Sequence, residues 1–223
     1  MAFNDDSFIR EVNEELRSER LQSVWKRYGR ILIGIAVLIV LGTAAHRGYD
    51  YWMTQKASDT GDQFLAAMKL AQANKTDEAL AALAAIETEG HGSYPVLARL
   101  RAAALEAQKG DSAKAIATFT AIGKDEAAPA AIRDAARMRA AWLLIENGTY
   151  EQVSAEVEQM AVPQNPLRHS AREALGLSAY KAGDFKRARE WFQQIVDDPE
   201  APRNVANRAQ MLLDLIAGSG KAP

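Results

Sequence analysis

Fifteen consecutive uncharged residues, Ile31-Leu-Ile-Gly-Ile-Ala-Val-Leu-Ile-Val-Leu-Gly-Thr-Ala-Ala45, limit what this chain can become more than any other feature in it. Arg30 stands before the run and Arg47 after it. As a helix the segment between those arginines rises about 24 Å, a little less than the roughly 30 Å of a bilayer core. The stems of Arg30 and Arg47 make up the difference by carrying their charges out to the headgroups. Trp25 and Tyr28 precede the run and Tyr49, Tyr51 and Trp52 follow it, as an interfacial aromatic belt would. The spacing predicts a transmembrane signal anchor over residues 30–48.

Two rival readings use the same residues. A core helix of a soluble domain has this length, but nothing upstream is large enough to bury it. A cleaved signal peptide is the closer rival, with Thr43-Ala44-Ala45 as its small residues and His46 as the new N-terminus. Signal peptides have short basic leaders, whereas thirty residues carrying Asp5, Asp6, Glu11, Glu14, Glu15 and Glu19 lead into this run. An uncleaved anchor follows. Its direction follows from Arg17, Arg20, Lys26, Arg27 and Arg30 before the run against Arg47 and Lys56 just after it. Positive charge stays inside, so residues 1–29 form a cytoplasmic tail and the larger part lies across the membrane. Within that tail Phe8, Val12, Leu16 and Val24 recur at helical spacing, a marginal amphipathic helix.

Beyond the anchor the composition favours helix. The chain is 48% hydrophobic and 25% charged, with alanine dominating the apolar residues and net charge −2. That is globular composition, and no basic excess points to nucleic acid. Helices are expected near 57–73, 76–88, 94–109, 112–122, 128–146, 150–161, 166–181, 184–197 and 201–217. Between them stand turn residues such as Asn74-Lys75, Gly110-Asp111, Asn147-Gly148 and Gly183-Asp184.

A unit recurs along this stretch. Its clearest copy runs Leu175-Gly176, Tyr180, Gly183-Asp184-Phe185, Ala188, Phe192, Ile195; a second runs Leu105, Gly110-Asp111, Ala115, Phe119, Ile122. Weaker copies centre on Ala79 and Val153, so that Ala79, Ala115, Val153 and Ala188 mark a near-regular period along the chain. The Gly or Asn makes the tight turn of a helical hairpin, and the small residue lets the paired helix approach. The large apolar residues four and seven positions on pack against the neighbouring pair. This resembles the tetratricopeptide repeat, although the consensus tryptophan of the first helix is missing from every copy. The expected fold is all-α: one transmembrane helix, then a right-handed tetratricopeptide-repeat-like array over 57–217, with a disordered tail at 218–223.

The order of landmarks carries a further resemblance. A tail reading Glu11-Val-Asn-Glu-Glu-Leu-Arg17 and Trp25-Lys-Arg-Tyr-Gly29 leads into the anchor, Tyr51-Trp52 follow it, and Ser93-Tyr94-Pro-Val-Leu-Ala-Arg-Leu-Arg-Ala102 opens a second helical pair. The chain is similar to the ancillary subunit of the Sec translocon of Gram-negative bacteria, in its alphaproteobacterial form. The resemblance implies a single-pass inner-membrane protein whose repeats lie in the periplasm. Its implied partners are translocon subunits, a membrane-anchored periplasmic chaperone and emerging secreted proteins. It also implies a cytoplasmic tail linked to stress signalling, and a regulator recruited by Phe3–Tyr28 is the alternative function.

No chemistry competes with binding. There is no cysteine, hence no disulfide, thiolate metal site or cysteine nucleophile. No phosphate-binding loop, dinucleotide motif or nucleophile elbow appears, so no enzyme, cofactor or metal is expected. His46 falls at the membrane interface, His91 in a glycine turn and His169 at a helix start, where a surface role is expected. Asn147-Gly-Thr149 matches a glycosylation acceptor and reads as a turn. Arg133, Arg137 and Arg139 read as a solvated face. Repeat arrays bind proteins along the side lined by the first helix of each pair. Register places Leu97, Leu100, Met138, Trp142, Leu177, Tyr180 and Lys181 there, with inter-repeat core the favoured reading of the three leucines. Membrane placement falls to Arg30, Ile31, Ala45, Arg47, Tyr51 and Trp52.

Overall fold

The structure, a computed structural model, describes the backbone from Asp5 to Gly220 and side chains from Lys26 onward. The side chains of the proposed amphipathic positions Phe8, Val12, Leu16 and Val24, and residues 221–223 of the expected disordered tail, lie outside that description. All described elements are helical, and the chain divides into two compact units, one ending at Lys56 and one beginning at Ala57. Helix α1 (Asp5–Gln72) is assigned without a break through the apolar run.

In the first unit every residue from Arg30 to Asp50 is exposed. Ile31, Leu32, Ile33, Ile35, Val37, Leu38, Ile39, Val40 and Leu41 stand 48–70% exposed, on all sides of the helix rather than along one stripe. At roughly 1.5–3 kcal/mol per large apolar side chain left in water, such a surface costs on the order of 15–25 kcal/mol unless a nonpolar medium covers it. Nothing within the first unit covers these side chains, which is compatible with a membrane anchor. The helix is long and apolar enough to cross a membrane. Its Thr43 hydroxyl donates to the Ile39 carbonyl at 2.7 Å, so this donor is satisfied within the helix. Lys56 Nζ sits 3.9 Å over the Trp52 ring, a cation–π contact.

The second unit contains the last part of α1, α2 (Thr76–Glu89), α3 (Tyr94–Gln108), α4 (Ser112–Lys124), α5 (Ala130–Asn147), α6 (Tyr150–Val157, continued by a 3-10 turn at Glu158–Met160), α7 (Arg168–Lys181), α8 (Phe185–Val196) and α9 (Arg203–Gly218). They form four helical hairpins and a final helix. The second member of each hairpin carries its apolar triplet inward: Ala79/Leu83/Ile86, Ala115/Phe119/Ile122, Val153/Val157/Met160 and Ala188/Phe192/Ile195 are all at most 1% exposed. Four cores result. One joins α1, α2 and α3; the next α3, α4 and α5; the third α5, α6 and α7; the last α7, α8 and α9. Each hairpin closes its core only with the first helix of the next, which is how a solenoid holds together.

Three hairpin turns share one geometry. Asn74, Gly110 and Gly183 have φ of 59°, 93° and 78°, each standing shortly before the small residue of its triplet. The amide after the turn residue reaches back to the first helix, Asp111 N to Glu106 O and Asp184 N to Ala179 O, both 3.0 Å. Asp111 and Asp184 then cap α4 and α8 through their carboxylates. The third hairpin instead starts α6 with a capping box between Thr149 and Gln152. Gly183→Ala should therefore cost about 1–2 kcal/mol from the left-handed backbone alone. Asn74→Gly should be neutral or slightly stabilising, as urea unfolding midpoints will report.

Candidate protein-binding surface

The first helices of the last three hairpins (α3, α5 and α7, with α9 in the same register) carry the residues expected to present a binding side. Their equivalent positions are treated differently by packing. Met138 is 6% exposed and sits in the third core with Ala171 and Ala174, because α5 packs directly on α7. It fills the interior and does not line a surface. Leu97, Leu100, Leu177 and Tyr180 are half-buried. Leu100 packs on the second core, and Leu177 and Tyr180 on the last, where Tyr180 stands edge-on to Phe185 with ring centres 5.3 Å apart. Trp142, 40% exposed, is the aromatic of the second unit that most faces solvent.

Lys181 is exposed, yet its ammonium donates to the carbonyls of Ile145 and Glu146 at 2.8 and 2.6 Å. Those carbonyls lie at the C-terminal end of α5, where unpaired acceptors and the helix dipole favour a cation. Lys181 thus ties the fourth hairpin to the third. The membrane candidates stand as follows: Arg30, Ala45 and Arg47 are exposed, as are Ile31, Tyr51 and Trp52.

A polar knot lies at the start of α7. Asp198, in the turn between α8 and α9, accepts from Arg168 Nε at 3.1 Å and Arg172 at 3.2 Å, and its carboxylate is 2.8 Å from His169 Nε2. Its other oxygen accepts the Glu200 amide at 3.0 Å. Arg172 also donates to the carbonyls of Ala161 and Gln194, both 3.1 Å away. His169 is 6% exposed, so the surface role expected for it is corrected. Its partner Asp198 lies beyond the whole of α8, out of reach of local pattern. Arg133 also departs from a solvated role, donating to the Glu126 and Ala128 carbonyls. Arg137 is half-buried against Gly123.

The knot has a simpler twin. Arg99 donates to Asp125 at 3.2 Å, and Asp125 accepts the Ala127 amide at 3.1 Å. Arg99 and Asp125 stand two repeats before Arg172 and Asp198, so two of the hairpins end in the same arginine-clamped turn. That arginine occupies the place of the missing consensus tryptophan. The recurrence was present in the sequence as two Arg–Asp pairs of identical separation. Each pair crosses helix boundaries, and so escapes a search for periodicity.

Arg168, first, and His169 hold the Asp198 carboxyl well below the usual carboxylate range. A carboxyl with a folded-state pKa below its unfolded one adds stability above the unfolded value, and loses it as pH falls toward the folded one. Acidification from about pH 5 to about pH 2.5 should therefore lower the urea midpoint. Asp198→Asn should start lower at neutral pH and lose less over that range.

Among the described residues no group of three or more His, Asp or Glu is arranged to hold a metal ion. A cleft of about 540 Å³ between α2 and α4 is floored by Ala84, Ala102, Ala117 and Ala121. Its charges are paired across it, Arg99 with Glu87 at 3.4 Å and Lys114 with Glu106 at 2.6 Å. Glu173, buried on α7, is met by Arg208 of α9 through two bonds of 2.6 and 2.9 Å, which fixes the final helix.

These hairpins and their shared cores define a helical-repeat scaffold of the protein-binding kind. A family model for the tetratricopeptide repeat-like domain matches residues 22–218, and the chain belongs to that family. The match takes in the apolar run as well as the repeats. No curated protein and no solved structure matches the chain.

Proposed function

We propose that this protein is a non-enzymatic, single-pass accessory protein of the Sec translocon, holding a repeat domain at the periplasmic face of the inner membrane. There the repeats would bind a chaperone or emerging secreted proteins. The observation that carries the reading is the joining, in one family match, of an apolar helix exposed on all sides to a repeat domain whose chemistry is binding. The charge asymmetry around the apolar run supports the direction, and the order of tail, anchor and repeats supports the translocon assignment. In this reading residues 1–29 are cytoplasmic, 30–48 span the bilayer and 57–217 bind partners. Arg30, Arg47, Tyr51 and Trp52 hold the anchor at its depth. Trp142 is the leading contact residue, with Leu100 and Tyr180 next in order. Photo-crosslinkers at Ile35 and Trp142 in living cells test this. Translocon subunits captured at Ile35, and a periplasmic chaperone or secreted chain at Trp142, support it. Capture of unrelated envelope proteins alone contradicts it.

A further inference from the structure

We propose that α9 pairs, antiparallel and about a two-fold axis, with the α9 of a second copy of this chain. Each of the four hairpins carries a small buried residue on its first helix: Ala67, Ala103, Ala141 and Gly176. These stand at a constant interval before Ala79, Ala115, Val153 and Ala188 of the second helices. The small residue is what lets the two helices of a hairpin approach closely. At Gly176 the ring of Phe192 takes the room that a Cβ would need. The fifth member of the series is Met211 on α9, which is 68% exposed. Leu215, one turn further on, answers to Tyr180, which packs on Phe185, and is 54% exposed. Among the described residues no second helix follows α9, so its first-helix face lies open.

Met211 holds off a second helix of the repeat kind, whose close approach needs a small residue at this place. It suits a pair of helices whose axes stand toward the wide end of the usual range of about 8–10 Å. A second α9 supplies such a partner. Met211, Leu215 and Gly218 keep on its exposed side the four-then-three interval by which the second helices bury their triplets. One face thus combines first-helix register with second-helix spacing, and is complementary to itself, as a two-fold interface requires. Antiparallel pairing sets each Met211 against the partner's Leu215 and opposes the two helix dipoles. The charges beside the stripe are already engaged within the chain, Arg208 with Glu173 and Asp214 with Gln210 at 2.8 Å. Docking strands neither of them.

The test is sedimentation equilibrium on the full chain in detergent, with micelles in excess over protein. Two copies should be found in each particle. Met211→Glu, with unchanged helical circular dichroism, should raise the dissociation constant about a hundredfold, because each copy loses an apolar contact and buries a carboxylate. Leu65→Glu, a like change of an exposed leucine on α1, should leave the constant unaltered. In the otherwise cysteine-free chain, a short bis-maleimide should join Met211→Cys to its counterpart and should not join Gln63→Cys. A monomeric chain overturns the inference and leaves the face to a helix of another protein. A dimer that Met211→Glu does not weaken, or one in which Gln63→Cys is joined as readily, places the contact elsewhere, the anchor included, and also overturns it.

Discussion

Phe192→Ala should destabilise the repeat domain by about 3–5 kcal/mol, the cost of deleting a large aromatic from a core that cannot collapse around the hole. Phe192 has no solvent exposure and fills the last core with Ala179, Ile195 and Ala209. Its ring also lies against Gly176, where an added Cβ would meet Phe192 Cε1 at 2.5 Å. Gly176→Ala should therefore cost about 1–3 kcal/mol by overpacking. Combining it with Phe192→Leu should cost less than the sum, because the smaller side chain gives the methyl room. Each hairpin closes only on its neighbours, so the damage should be local at first. Hydrogen exchange should show α7, α8 and α9 opening while α2 and α3 keep their protection. A uniform loss over all helices would mean that the four cores act as one.

The second large effect concerns the apolar run. A lysine near the centre of a spanning helix costs about 2.5–3.5 kcal/mol on insertion scales. Ile35→Lys together with Leu38→Lys should move most of the protein from the alkali-resistant membrane fraction to the soluble one. Ile35→Phe with Leu38→Phe should not. Trp142→Lys, a like change in the repeat domain, should leave the membrane fraction unaltered. Retention of the double-lysine protein in the membrane would mean that the run is not what holds it there.

The parts of this molecule that were legible in the sequence are those set by local spacing. The triplets from Ala79 to Ile195 show an interval of four and then three, which only a helix turns to one side, and all of them are buried. The turn residues Gly110 and Gly183 carry their own conformational signature. What spacing does not carry is which side of a first helix meets a neighbour. Met138 and Trp142 are one helical turn apart, and either suits a surface by register alone. Direct packing of α5 on α7 takes Met138 inside and leaves Trp142 out. Lys181 as a cap on α5, and His169 beside Asp198, depend on partners in other helices or turns, far along the chain. Such pairs become visible only once the hairpins are stacked.

The absence of cysteine from the chain allows a direct measurement of whether a single anchor places the tail and the repeats on opposite sides of the membrane. Single-cysteine variants Ser7→Cys and Asn207→Cys are treated with a membrane-impermeant maleimide in spheroplasts, before and after lysis. Asn207→Cys should label in intact spheroplasts, and Ser7→Cys only once they are broken. The reverse order, or labelling of both sites only after lysis, would contradict the account.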